Sequence, residues 1–304
     1  MTEASPAISN AFFAEWEDGV IDLMVGIPAT SAERKEQHYD KFASQILDKE
    51  AREKFTFPAQ YMFRDIPDYD EIDDPVELLV AEMDRFEIRR SMINIASNPK
   101  ARRALAEHPD RFIASWDVDP NDGMDAVRQL EAAVHEFGVR SAQVFPAGLT
   151  LQVPINDKKL YPLYAKCIEL DIPIFVNAGV PGPRLPMDCQ HVEHIDEVCW
   201  FFPELKFVMR HGAEPWTALA VKLMLKWPNL YYSTSAFAPK HYPSDIVHFA
   251  NTRGADKVLY AGYYPMGLSL ERIFAELPQV PFRDHVWPKF LRDNALRVFG
   301  SEAT

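Results

Sequence analysis

Apolar and polar positions follow one another along this chain in two distinct rhythms. From about residue 76 onward there are windows in which apolar residues recur three and four positions apart: PVELLVAEMDRF, GMDAVRQLEAAVHEFG, KKLYPLYAKCIEL and TALAVKLMLKW. That spacing predicts helices with one buried stripe. Between them lie short segments that are apolar throughout: RSMINIA, FIASWDVD, RSAQVFP, IPIFVNAG, KFVMRHG, LYYSTSA and KVLYAGYYP. Runs with no polar face, separated by helices, are what parallel strands look like when helices cover the sheet. With VIDLMVG at 20–26 they number about eight, the count that closes a (β/α)8 TIM barrel of ~250 residues. One barrel domain over residues 1–304 is expected, with 28–75 as a long insertion after the first strand.

In such a barrel the strands end at the mouth where chemistry is done. Polar residues appear at those ends repeatedly: Asp117 and Asp119, Asn177, Arg210 with His211, Ser233 to Ser235, and Tyr263 with Tyr264. The insertion carries AREKFTFPAQYMFRDIPDYDEIDD, rich in charge and aromatics, and is expected to act as a lid or a partner contact. Within it Arg64 is a candidate to grip a substrate carboxylate, the plainer reading being an arginine on a solvated loop. Arg184, in the turn-rich GVPGPRLP, is a second candidate anion contact.

Composition narrows the function. The chain of 304 residues has 32 basic and 45 acidic side chains and a net charge of −13, with no Lys/Arg block, which argues against nucleic acid and anionic membranes as partners. No apolar run approaches the ~20 residues of a membrane helix, and MTEASPAISN is not a secretory leader, so a cytoplasmic protein is expected. Cys167, Cys189 and Cys199 lack paired spacing and read as reduced packing residues. His191 and His194, three apart on an expected helix, read as helix surface. No G-x-G-x-x-G, Walker or G-x-S-x-G sequence is present, which removes support for nucleotide and serine-hydrolase chemistry.

The stretches LYPLYAKCIELDIPIFVNAG, FPELKFVMRHGAEPW, PNLYYSTSAFAP, DKVLYAGYYPMG and FLRDNALRVFG resemble, in that order, the amidohydrolase-related family that includes carboxymuconate-semialdehyde and hydroxybenzoate decarboxylases. The resemblance implies a barrel with a divalent metal at its mouth, held by Asp-x-His-x-His on the first strand, a His on each of the fifth and sixth, and an Asp on the eighth. Here those positions read Asp22-Leu23-Met24-Val25-Gly26, Asn177, His211 and Tyr263. Too few ligands remain for zinc-type binding, so no metal and no other cofactor is expected.

His211 faces the lumen by its family position. Strand alternation then places Asn177, Tyr263, Asp22 and Gln143 inward, with Phe207 and Met209 beside His211, and turns Arg210 towards the helices to pair with Glu214. The candidate catalytic set is His211 as general acid or base, Tyr263 and Asn177 as oxyanion donors, and Asp22 orienting the imidazole, with Gln143, Arg64 and Arg184 for the substrate. Asn177 and Tyr263 also admit packing roles. The leading expectation is a metal-independent hydrolase or carbon–carbon lyase acting on a small carboxylated or ring-derived compound, and a homodimer. The alternatives are a non-catalytic barrel that binds a ligand or partner, and a metal kept by Asp22, His211 and loop residues.

Overall fold

The computed structural model describes residues 19–300, apart from 35, 37–44, 54–58, 64, 65, 68 and 70. One sheet of eight parallel strands runs in sequence order. Its members are β1 (Val20–Asp22), β2 (Ile88–Asn94), β3 (Phe112–Asp117), β4 (Ser141–Val144), β5 (Ile174–Asn177), β6 (Phe207–Arg210), β7 (Leu230–Ser233) and β8 (Val258–Leu259). The two edges of this sheet meet just past the ends of β1 and β8. Leu23 N–H donates to the Tyr260 carbonyl at 3.2 Å, Gly26 N–H to that of Tyr264 at 2.9 Å, and Val25 and Tyr264 form a parallel bridge. The eight apolar segments of the sequence are therefore the eight staves of a (β/α)8 barrel.

A helix follows each strand: α1 (Pro75–Arg85), α2 (Pro99–Glu107), α3 (Met124–Phe137), α4 (Tyr161–Glu169), α5 (His194–Phe201), α6 (Thr217–Lys226), α7 (Ser244–Ala250) and α8 (Leu270–Glu276), with α9 (Asn294–Phe299) closing the described chain. Local chemistry fixes where they begin and end. Asp74 caps α1 by accepting from Val76 N–H and Glu77 N–H, with Pro75 in the first turn, and Asn98 does the same for α2 ahead of Pro99. On α1 the buried Val76, Leu79 and Met83 lie three and four apart, which is the apolar stripe expected from the sequence.

Most strands are buried along their length, as expected when side chains face either the lumen or the helices. The three cysteines are free and buried, and burial raises their thiols, Cys167 and Cys199 to about 12 and Cys189 to about 11. They are inert packing groups. Among the described residues no helix is long and apolar enough to cross a membrane.

Candidate active site at the barrel mouth

A cavity of about 910 Å3 opens at the C-terminal ends of the strands. Strands β2 to β6 each supply a polar side chain to it from at or near that end: Asn94, Asp117, Gln143, Asn177 and Arg210. Neighbouring strands run in a register that sets Asp117 beside Gln143 and Asn177 beside Arg210, while Gln143 itself stands beside Phe175, two residues before Asn177. His211 and Tyr263 complete the ring, and Tyr61, Met62 and Phe63 of the insertion wall it. Phe63 stacks on Tyr263 with centroids 5.3 Å apart, so the insertion reaches the mouth.

The sixth strand is where alternation misleads. Phe207 packs its ring against Tyr164 of α4, 6.3 Å between centroids, so it faces the helices. Arg210, three residues on, therefore points into the lumen, where Nη1 donates to Gln143 Oε1 at 2.6 Å and Nη2 approaches Met24 Sδ at 3.2 Å. The outward Arg210 paired to Glu214 expected from the sequence is corrected: its partners are on β4 and just past β1. His211 also reaches the mouth because it no longer belongs to the strand. His211, Gly212 and Ala213 all have left-handed backbone, with φ of 61°, 92° and 53°. Successive residues Arg210 and His211 can thus share one side, which an extended strand forbids. Non-glycine residues held in this region cost of order 1–3 kcal/mol each and concentrate at functional sites. At Gly212 a Cβ would also meet the Phe237 ring at 2.2 Å.

His211 is held from behind by β7's extension. Its backbone N–H donates to Ser235 Oγ at 3.2 Å, and the same oxygen lies 3.1 Å from Nδ1 and 3.4 Å from Ser233 Oγ. With the backbone N–H donating to Ser235 Oγ, that hydroxyl is free to give its own proton to Nδ1, an arrangement that puts the proton of the neutral ring on Nε2. Burial, and then the adjacent Arg210 cation, hold this imidazole well below its ordinary pKa. Tyr263 meets His211 edge to face at 5.9 Å. Burial pushes its phenol up to about 12, with Arg210 pulling the other way, so it is a proton donor at neutral pH.

Asp22 does not join this group. Its Oδ1 accepts from Met24 N–H at 2.9 Å and Gly262 N–H at 2.8 Å, which ties β1 to the chain after β8. Its Oδ2 lies where a Cβ on Gly262 would fall 2.7 Å away, beside Ile273 of α8 and Tyr260, whose ring packs on Phe274. The expected inward Asp22 is corrected, and the reason is the bend at Leu23, which breaks the period of two between Asp22 and the cavity-lining Met24. Burial raises the Asp22 carboxyl to about 7.

Arg184 is likewise outside the cavity. It is exposed, 3.3 Å from Asp48 and 5.7 Å from the centre of the Tyr61 ring, so it braces the insertion's wall and does not touch the cavity. Arg64 lies outside the described residues. Gln143 and Asn177 stand where alternation placed them. The sequence names Arg210 and Ser233 to Ser235 at strand ends without giving Arg210 or Ser235 a part in the site, and it does not single out Asn94; all three belong here, Arg210 and Asn94 in the cavity wall and Ser235 against His211. The signal for Arg210 was Gly212, which marks a turn and makes Arg210 the last true strand residue.

The ligand positions of the resembling family now read as a thioether (Met24), no side chain (Gly26), an amide (Asn177), an imidazole (His211) and a protonated phenol (Tyr263). Mn2+ and Mg2+ favour carboxylates and Zn2+ favours imidazole or thiolate in sets of three or more. The Arg210 guanidinium touches Met24, and two unit charges 4 Å apart repel by roughly 4 kcal/mol at an effective dielectric of 20, doubled for a divalent ion. These residues do not fit such an ion. Among the described residues, the group of carboxylates and histidine close enough to share an ion is Glu77, Glu107 and His108, on and just after the outer helices α1 and α2 and not in the cavity wall.

The family model described as Amidohydrolase matches residues 27–301. A barrel protein of Bordetella bronchiseptica superposes with a TM-score of 0.68 at 21% identity, covering 93% of this chain and 99% of that one. A dihydroxybenzoic acid decarboxylase of Polaromonas, whose structure contains manganese, gives 0.60 at 17% identity over 93% and 97%. A 2-keto-4-carboxy-3-hexenedioate hydratase of Sphingobium is 26% identical over 105 residues, a stretch that spans 30% of this chain and 31% of that enzyme.

Proposed function

This chain belongs to the amidohydrolase family, and from that premise we propose that it is an enzyme of the decarboxylase and hydratase kind that works on a small carboxylated compound without a metal. The observation that carries the reading is the meeting of a buried cation, a neutral imidazole and a protonated phenol in one cavity: Arg210, His211 and Tyr263. Cleaving a carbon–carbon bond beside a carbonyl, or adding water to a conjugated acid, builds negative charge on an oxygen. Tyr263 O–H and His211 Nε2–H are donors for that charge, and Asn177 offers an amide for the same purpose.

His211 is the group that exchanges the proton. Buried and beside Arg210 it resists protonation, and a substrate carboxylate that neutralises the guanidinium removes the Arg210 part of that resistance, so the imidazole becomes more basic when the substrate is present. Ser235 fixes the ring through the exchange. Gln143, through Arg210, holds the cation in place. Tyr61, Met62 and Phe63 of the insertion add apolar and aromatic surface to the cavity wall.

The test is a screen of aromatic acids and ring-cleavage products against chelator-treated protein. Turnover that survives the chelator and falls at least ~100-fold in His211→Ala is the expected result. Turnover that appears only with added divalent ion would sink the metal-free part. Saturable binding with no turnover of any compound would favour a barrel that only binds.

A further inference from the structure

Arg210 lies over the centre of the barrel. It leaves β6, touches Gln143 on β4 and Met24 just past β1, and β1 and β4 are three strands apart in a ring of eight. A side chain that meets both must cross the axis. Met24 stands where the resembling family has a metal-binding histidine, so the guanidinium sits where a divalent ion would have to be. Its polar partners in hydrogen-bonding distance are a neutral amide and a thioether, and the Asp117 carboxylate on the cavity wall acts on its charge from further away.

Two further atoms mark an incomplete arrangement. Arg210 Nε, a donor, and Asn177 Oδ1, an acceptor, are both buried and have no hydrogen-bond partner among the described residues, although the two residues are paired across β5 and β6. Buried polar atoms without partners are uncommon, and a site that shows them is prepared for a ligand that supplies both. An acidic ligand supplies an acceptor for Nε and charge for the guanidinium, and a neighbouring hydroxyl or a protonated carboxyl supplies the donor for Asn177.

We propose that Arg210 occupies the metal's seat as a permanent cation and is itself the group that grips the substrate's carboxylate. This deepens the functional reading above and rests on it only for the word substrate. Burial lowers the Arg210 pKa to about 10, opposed by Asp117 and Tyr263, which leaves the guanidinium charged at neutral pH. A planar fork suits a carboxylate, and in a cavity it works without the deprotonated ligands that an ion would need.

The experiment compares benzoate with its neutral isostere benzamide by calorimetric titration of chelator-treated wild-type protein, Arg210→Met and Arg210→Lys, with elemental analysis after dialysis against Mn2+. The expected result is benzoate bound at least ~10-fold more tightly than benzamide by wild type, the preference abolished in R210M and partly restored in R210K, and no stoichiometric manganese. Equal affinity for benzoate and benzamide in wild type, including no binding of either, overturns the proposal without recourse to any variant. So does an unchanged preference in R210M, or one manganese per chain. Benzoate preference lost in R210M with no turnover of any acid would leave the Arg210 site standing while removing the enzymatic reading. Turnover retained in R210M with an unchanged benzoate preference would do the reverse.

Discussion

The Arg210 guanidinium donates to Gln143 Oε1 at 2.6 Å, joining β6 to β4 across the intervening strand. Gln143 in turn donates through Nε2 to Ser115 Oγ, whose hydroxyl donates to the Ile93 carbonyl at 3.0 Å. The cation is therefore fixed by a chain of neutral dipoles running around the barrel from β4 through β3 to β2. Replacing Gln143 by Leu keeps the volume near constant and leaves Nη1 unpaired in a buried place. Stability is expected to fall by about 1–3 kcal/mol, read from urea denaturation midpoints at constant m. An unchanged midpoint would mean that Arg210 finds another acceptor.

His211 offers a second readout. Burial and Arg210 hold its pKa well below the ordinary value, so the folded chain binds this proton at lower pH than the unfolded one. As pH falls below ~6.5 the unfolded state gains a proton that the native state refuses, and stability drops on the acid side. The imidazole's Cε1–H resonance, assigned by comparison with His211→Gln, is expected not to titrate between pH 8 and 6. With benzoate bound its titration should move upward. A resonance that titrates near 6.5 in the free protein, or is indifferent to benzoate, would uncouple the imidazole from the cation.

Much of the fold was legible because burial imposes periodicity. Fully apolar runs such as IPIFVNAG have no other use than as strands covered on both sides, and Asp74-Pro75 and Asn98-Pro99 announce helix starts by their own chemistry. Alternation placed Gln143 and Asn177 because their strands stay regular up to the mouth, whereas His211 and Tyr263 lie past the ends of theirs and were named from the family positions. At β1 the bend at Leu23 separates Asp22 from Met24, and at β6 three left-handed residues put Arg210 and His211 on the same side. Alternation counted from His211 therefore gave the wrong face for every residue before it on that strand. A count begun at the last residue before Gly212's turn gives the right one.

Asp22 carries a pH dependence of opposite sign. Its carboxyl titrates at about 7 in the folded chain, raised by burial, against ~3.9 when unfolded. Between those values the unfolded chain is ionised while the folded one keeps the proton, so stability falls as pH rises from about 4 to about 7 and levels off above. Asp22→Asn keeps the Oδ1 acceptor for Met24 and Gly262 and removes the titration. Relative to wild type the variant is expected to gain on the order of 1–4 kcal/mol between pH 4 and pH 8. A difference independent of pH would show that the carboxylate is already accommodated as an anion.

Tyr263 distinguishes packing from chemistry. Its ring stacks on Phe63 and meets the edge of His211, contacts that Tyr263→Phe retains and Tyr263→Ala loses. Only the hydroxyl can donate to a developing oxyanion, and burial with a pKa pushed up to about 12 keeps that donor protonated through the neutral range. Tyr263→Phe is therefore expected to melt within ~1 °C of wild type while kcat falls by ~100-fold or more, the usual loss for one oxyanion donor. Tyr263→Ala should lose stability as well, by about 2–4 kcal/mol, because it empties space behind Phe63. Steady-state kinetics and thermal melts on the pair separate the two roles. A Phe variant as active as wild type would assign the ring to filling the seat left by the family's aspartate and nothing more.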